Sequence, residues 1–157
     1  MWKQYRPYVG FSAAALAVGG LSALLTSGGM KEFAALNQPP LSPPGWLFPV
    51  VWTLLYVLMG VGMALVWRET SGRERRRAVE AWALQLAVNF FWTILFFRLE
   101  ARLFAFFWLV LLLVLASRMT RIFSAHSDLA AKLQIPYLVW LVFAGYLNFA
   151  VYLLNRP

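Results

Sequence analysis

Cysteine is absent from this 157-residue chain, so disulfides, thiolate chemistry and cysteine-ligated metals are excluded. Charge is sparse as well: 13% of residues are Asp, Glu, Lys or Arg, against about 25% in an ordinary soluble domain. Only six are carboxylates, and none lies inside the long apolar runs, which removes the acid–base pair and the usual proton relay of a membrane carrier. Histidine occurs once, as His126 in a polar break, where it reads as a solvated residue and not as a metal or haem ligand. No glycine-rich phosphate loop is present.

What remains is apolar. Charged residues are missing from Pro7 to Met30, Phe33 to Trp67, Ala81 to Phe97, Leu103 to Ser117 and Leu133 to Asn155. A bilayer-spanning helix needs about 20 mostly apolar residues. Three of the five runs reach that length, and the other two reach it if terminal charges snorkel to the interface. The expected fold is therefore all-α: a single polytopic domain over 1–157, with five transmembrane helices. Their expected limits are Tyr8–Ser27, Trp46–Trp67, Val79–Phe97, Leu103–Phe123 and Ala130–Leu154. The first run has a basic start but is long, and it is expected to be retained as a span and not removed as a leader.

The net charge of +8 does not indicate nucleic acid, because the basic residues sit in the short breaks between spans. They read as topology signals and lipid-headgroup contacts. The N-terminus and the second and fourth breaks carry Lys3, Arg6, Arg68, Arg73, Arg75, Arg76, Arg77, Arg118, Arg121 and Lys132; the other side carries only Lys31, Arg98, Arg102 and Arg156. That bias predicts an N-inside, C-outside topology, with the plasma (inner) membrane as the default location.

The longest connection, Gly28 to Gly45, contains MKEFAAL, suited to one or two helical turns, and then NQPPLSPPG, whose four prolines in six residues forbid a continuous helix. Lid and spacer are both open to a loop of this length. Pro49 should limit the regular start of the second span, and Pro136 should kink the fifth or mark its first turn.

Polar groups enter the apolar runs at helical spacing. Gln85, Asn89, Trp92 and Phe96 share one face of span three; Tyr137, Trp140, Ala144, Leu147 and Asn148 share one of span five; Phe48, Trp52, Tyr56 and Met59 share one of span two. These faces are expected to meet in the interior, around a hollow opposite Ala144 and Gly145. Two roles are open to Gln85, Asn89 and Asn148 at this point: hydrogen bonds between helices, or contacts to a ligand. Trp46, Trp67 and Trp108 suit the membrane interface, whereas Trp52, Trp92 and Trp140 lie deeper.

Three segments, PPLSPPGWLFPVVWTLLY, QLAVNFFWTILFF and PYLVWLVFAGYLNFAVYLLN, occur in this order and spacing. Together they resemble the signature segments of the TspO/MBR family, the tryptophan-rich sensory proteins and the translocator protein formerly called the peripheral benzodiazepine receptor. The resemblance covers about residues 8–155. It implies a five-helix bundle, usually a homodimer, with a pocket beneath a proline-rich loop that caps it between helices one and two. It also implies tetrapyrrole ligands such as protoporphyrin IX and haem, with no required cofactor; mitochondrial members bind cholesterol, and synthetic isoquinoline carboxamides are ligands too. The family's pocket tryptophans match Trp52 and Trp140, its pocket asparagine Asn89, an aromatic position Trp92, and the small position on the last span Ala144. Phe48, Tyr56, Gln85, Leu147 and Asn148 complete the expected ligand-binding set. In some bacterial members the two tryptophans support light-dependent oxidative breakdown of protoporphyrin IX, which would make Trp52 and Trp140 the reactive pair. The chain departs from the family at Leu41, where many members have tryptophan before the second Pro-Pro pair. Leu147, Tyr152 and Arg156 match a sterol-recognition spacing, but the family's tyrosine position falls on Phe149, and sterol binding is not predicted. Sensor, carrier or scavenger, porphyrin-degrading enzyme, and transporter are the three functions the resemblance leaves open. Against the transporter stand the odd number of spans and the lack of buried ionisable groups.

Overall fold

The computed structural model describes residues 1–157, and every regular element in it is helical. The helices are α1 (Trp2–Leu25), α2 (Gly29–Ala35), α3 (Leu47–Glu69), α4 (Gly72–Thr93, continued as a π-turn over Ile94–Arg98), α5 (Arg102–Ser124), α6 (Asp128–Lys132) and α7 (Ile135–Asn155). Five membrane-length units result, between 23 and 28 residues long. Each is long and apolar enough to cross a bilayer. Together with the family's signature segments in the sequence, this makes the chain an integral multi-pass membrane protein.

Around the bundle the order is α1, α3, α7, α5, α4. α1 lies along α3 and also touches α4, while α5 sits between α4 and α7. Aromatic contacts from Trp52 to Tyr137 and Trp140 join α3 to α7. Apolar side chains cover the outside, as they must in lipid. The interior holds Met59, Met63, Leu109, Leu112, Met119, Phe123 and Leu141, all fully buried or nearly so. The α1–α3 seam depends on missing side chains. A Cβ on Gly60 would run into the backbone of Ser12, and one on Gly19 would run into the ring of Tyr56.

Four boundaries differ from the sequence reading. α1 begins at Trp2, six residues before the expected Tyr8, and takes Pro7 inside it. The run expected as a basic break before span three is instead the first two turns of α4, so only Thr70 and Ser71 join α3 to α4. Arg75 makes that short link possible. Its guanidinium lies 4.1 Å from the Trp67 ring centroid and donates to the carbonyl of Trp67 at 2.8 Å and to that of Thr70. The fifth span does not run unbroken from Ala130: α6 stops at Lys132 and α7 starts at Ile135, with Pro136 in its first turn, where no N–H is needed. Span three ends in a π-turn, with the Leu99 N–H reaching the Ile94 carbonyl five residues back at 3.0 Å. Glu100, at φ 52°, then turns the chain into α5.

Candidate functional site

A cavity of about 430 Å³ lies between α1, α3 and α4, with α2 across its end. This falls within the ~300–1,000 Å³ of small-molecule sites. One wall is aromatic: Phe48, Trp52, Tyr56, Trp92 and Phe97. The opposite wall is the small-residue face of α1, formed by Gly19, Ser22, Ala23 and Thr26. Trp52 is the hub of the aromatic side. Its ring centroid is 5.7 Å from Tyr56, 6.2 Å from Trp92, and 6.4 Å from Trp140 in an edge-to-face arrangement. The π-turn contributes Phe97 to this wall, and adjacent Phe96 and Phe97 both contact the ring of Phe33 on α2.

Four of the residues expected at the site, Phe48, Trp52, Tyr56 and Trp92, therefore line one hollow. The other six do not. Gln85, Asn89, Ala144, Leu147 and Asn148 are buried behind it. Trp140 backs the wall through its contacts with Trp52 and Phe48. The hollow expected opposite Ala144 and Gly145 is displaced: the cavity opens toward α1, and Gly145 faces an outer groove between α5 and α7. The physical reason is size. The α7 face carries Tyr137, Leu141 and Leu147, which fill the centre, whereas the α1 face has almost no side chains to fill it.

The three amides that the sequence places on the inner faces, Gln85, Asn89 and Asn148, all bond between helices. Tyr137 donates to the Gln85 carbonyl oxygen at 2.7 Å and accepts from Asn89 Nδ2 at 2.9 Å; Asn89 Oδ1 in turn accepts from the Tyr56 hydroxyl at 3.3 Å. Asn148 accepts from the Trp92 indole at 3.1 Å and donates to the Arg102 carbonyl at 2.8 Å. The carboxamides thus hold the tyrosine and tryptophan of the cavity wall in place. Trp140 differs: its indole N–H is buried and has no acceptor. Trp108, assigned to the interface, donates to the Val88 carbonyl at 2.7 Å and ties α5 to α4.

The proline segment lies across the end of the bundle and is fastened to α7. The Asn37 backbone N–H donates to Asn155 Oδ1 at 2.9 Å, Asn155 Nδ2 donates back to the Asn37 carbonyl at 3.0 Å, and the Tyr146 hydroxyl donates to the Pro40 carbonyl at 2.7 Å. At its tip Leu41 holds φ 68° and is 82% exposed, a conformation costly for a bulky side chain. Asn155→Ala removes the reciprocal pair. It is expected to speed amide hydrogen exchange at Asn37 by about fivefold, the effect of one net hydrogen bond of ~1 kcal/mol, while exchange in the middle of α3 stays unchanged.

This architecture, with its aromatic α3 face and proline segment, has known counterparts. The TspO/MBR family model matches residues 11–154. The chain belongs to the TspO/MBR family. Among its relatives are the tryptophan-rich protein TspO of Archaeoglobus fulgidus, 38% identical over 90% of this chain and 92% of that protein. Another is the translocator protein of Bos taurus, 36% identical over 96% and 90%. Protein CrtK of Rhodobacter capsulatus is 37% identical over 92% and 90%. This TspO/MBR member thus spans nearly the full length of each.

The structure adds residues that the sequence reading left out of the site: Gly19, Ser22, Ala23 and Thr26. Their spacing along α1 was the available signal, since it places small and hydroxyl-bearing groups on one helical face.

Proposed function

We propose that this TspO/MBR member binds a tetrapyrrole such as protoporphyrin IX or haem within the membrane and acts as a sensor, carrier or scavenger. The observation that carries this reading is the 430 Å³ cavity with Phe48, Trp52, Tyr56, Trp92 and Phe97 on one side and an almost bare helix on the other. A broad flat macrocycle has an apolar face suited to such a wall, and α1 leaves room for its thickness. The unpartnered Trp140 indole N–H is a donor available to a ligand acceptor after a modest ring movement. Gln85, Asn89 and Asn148 act in this reading by fixing the wall.

Porphyrin titration followed by tryptophan fluorescence quenching tests it. The Trp52→Phe, Trp140→Phe double variant is expected to bind about tenfold more weakly, from ~0.5–1.5 kcal/mol per aromatic contact. Trp52→Phe alone should account for most of the loss, because Trp52 lines the cavity. Undiminished affinity in the double variant rejects the site.

A second reading is favoured by the Trp52 contacts with Tyr56, Trp92 and Trp140, which form a cluster of oxidisable rings around the cavity. Here a bound porphyrin is oxidised by dioxygen under light, with Trp52 and Trp140 as the reactive pair. Porphyrin loss should then require light, oxygen and protein together. Equal loss of free porphyrin under the same lamp ends that reading.

We further propose a homodimer and an N-inside orientation. The groove on the lipid-facing side of α1 and α4, which includes Ala83 and Ala87, suits a second copy, and the positive charges crowd at the N-terminal end.

A further inference from the structure

We infer that Lys31 is the residue through which the cavity selects amphiphiles bearing a carboxylate; this rests on the ligand-binding reading above. Lys31 is the only charged side chain lining the cavity. It makes no ion pair and no side-chain hydrogen bond, whereas Lys132 is held 2.6 Å from Asp128. Its neighbour Glu32 does not line the cavity.

The hydroxyl groups beside it do not supply the missing donors. Ser22 donates to the Gly19 carbonyl at 2.9 Å and Thr26 to the Ser22 carbonyl at 2.8 Å, so both protons are committed to the α1 backbone. That leaves the Lys31 ammonium, the Ser27 hydroxyl and the Trp52 indole N–H as the uncommitted side-chain donors of the lining, and of these only Lys31 carries charge. A second cation stands at the same end: Arg98, whose Nη1 caps the Leu25 carbonyl at 3.4 Å. No carboxylate lines the hollow to oppose them.

The cavity is therefore polarised. Trp52, Tyr56 and Trp92 receive an apolar aromatic body, and Lys31 meets an acidic group at the wet end of the same molecule. A neutral analogue keeps the first contact and loses the second. The positive end also sets the direction of the bound ligand, with its acid toward the loop and its apolar edge toward the bundle centre.

The test compares protoporphyrin IX with its dimethyl ester by fluorescence quenching, in the parent protein and in Lys31→Gln, Lys31→Arg and Lys31→Glu. The quantity read is the ratio of the two affinities, in which detergent partitioning cancels between variants. The parent is expected to prefer the free acid, and Lys31→Gln to reduce that preference about fivefold with ester affinity unchanged. Lys31→Arg should retain the preference and Lys31→Glu should invert it. Added salt should weaken it in the parent. If the ester binds but Lys31→Gln leaves the ratio unchanged, the role of Lys31 is overturned while the binding reading stands. If neither porphyrin quenches saturably, both are overturned.

Discussion

Gly60→Val protein is expected to lose about 3 kcal/mol of stability, seen as a sharply lower thermal midpoint in detergent or as failure to accumulate in the membrane. The α1–α3 seam is the reason. A Cβ at position 60 would lie 2.5 Å from the Ser12 backbone nitrogen and 2.6 Å from its Oγ. A side-chain tip can rotate away from such an overlap, but a helix backbone cannot, so α1 as a whole must move. Because α1 contributes Gly19, Ser22, Ala23 and Thr26 to the cavity, the same displacement removes one of its walls. Any protein that survives should bind porphyrin poorly as well as melt early. Gly20→Val is the control: nothing lies within 4 Å of that position, and a change within ~0.5 kcal/mol is expected. Equal midpoints for the two variants would show that the seam is not as close as described.

Tyr137→Phe should destabilise the bundle by about 2–4 kcal/mol although it removes a single oxygen atom. That oxygen serves two partners, donating to Gln85 and accepting from Asn89. Hydrogen bonds between helices in lipid average ~0.6 kcal/mol and reach ~1–2, but a polar group left unpaired in the interior costs a further ~1–3. The loss of two bonds and the orphaning of two amides therefore dominate over the slight gain in apolarity. Tyr56→Phe gives the contrast. It removes one long bond of 3.3 Å and should cost under about 1 kcal/mol. Adding Gln85→Met to Tyr137→Phe should recover part of the stability, because one orphaned amide is removed with its partner. A Tyr137→Phe midpoint matching that of Tyr56→Phe would contradict the network.

The sequence reading located all five spans because the bilayer imposes a length and a composition that charge-free runs reveal directly. It misplaced the start of α4 because Arg73–Arg77 looked like a break; charges at a helix end outside the hydrocarbon do not interrupt the helix. Inside the bundle, period-3.6 faces correctly grouped Phe48, Trp52 and Tyr56, and separately Asn89 and Trp92. What periodicity could not supply was how much space each face leaves. The α7 face is filled by Tyr137, Leu141 and Leu147, and the void falls instead beside α1, where the lining residues are small. Residues that make a cavity by being small carry a weaker sequence signal than residues that line it with rings.

The reciprocal Asn37–Asn155 pair has a practical side. Asn155 is the last residue of α7, so a reporter group attached beside it stands directly against the proline segment. Such a group can loosen that segment from α7 by its bulk alone, without touching any residue of the cavity wall. Labels meant to leave the segment undisturbed belong near the start of α1, a full helix length from that end of the bundle.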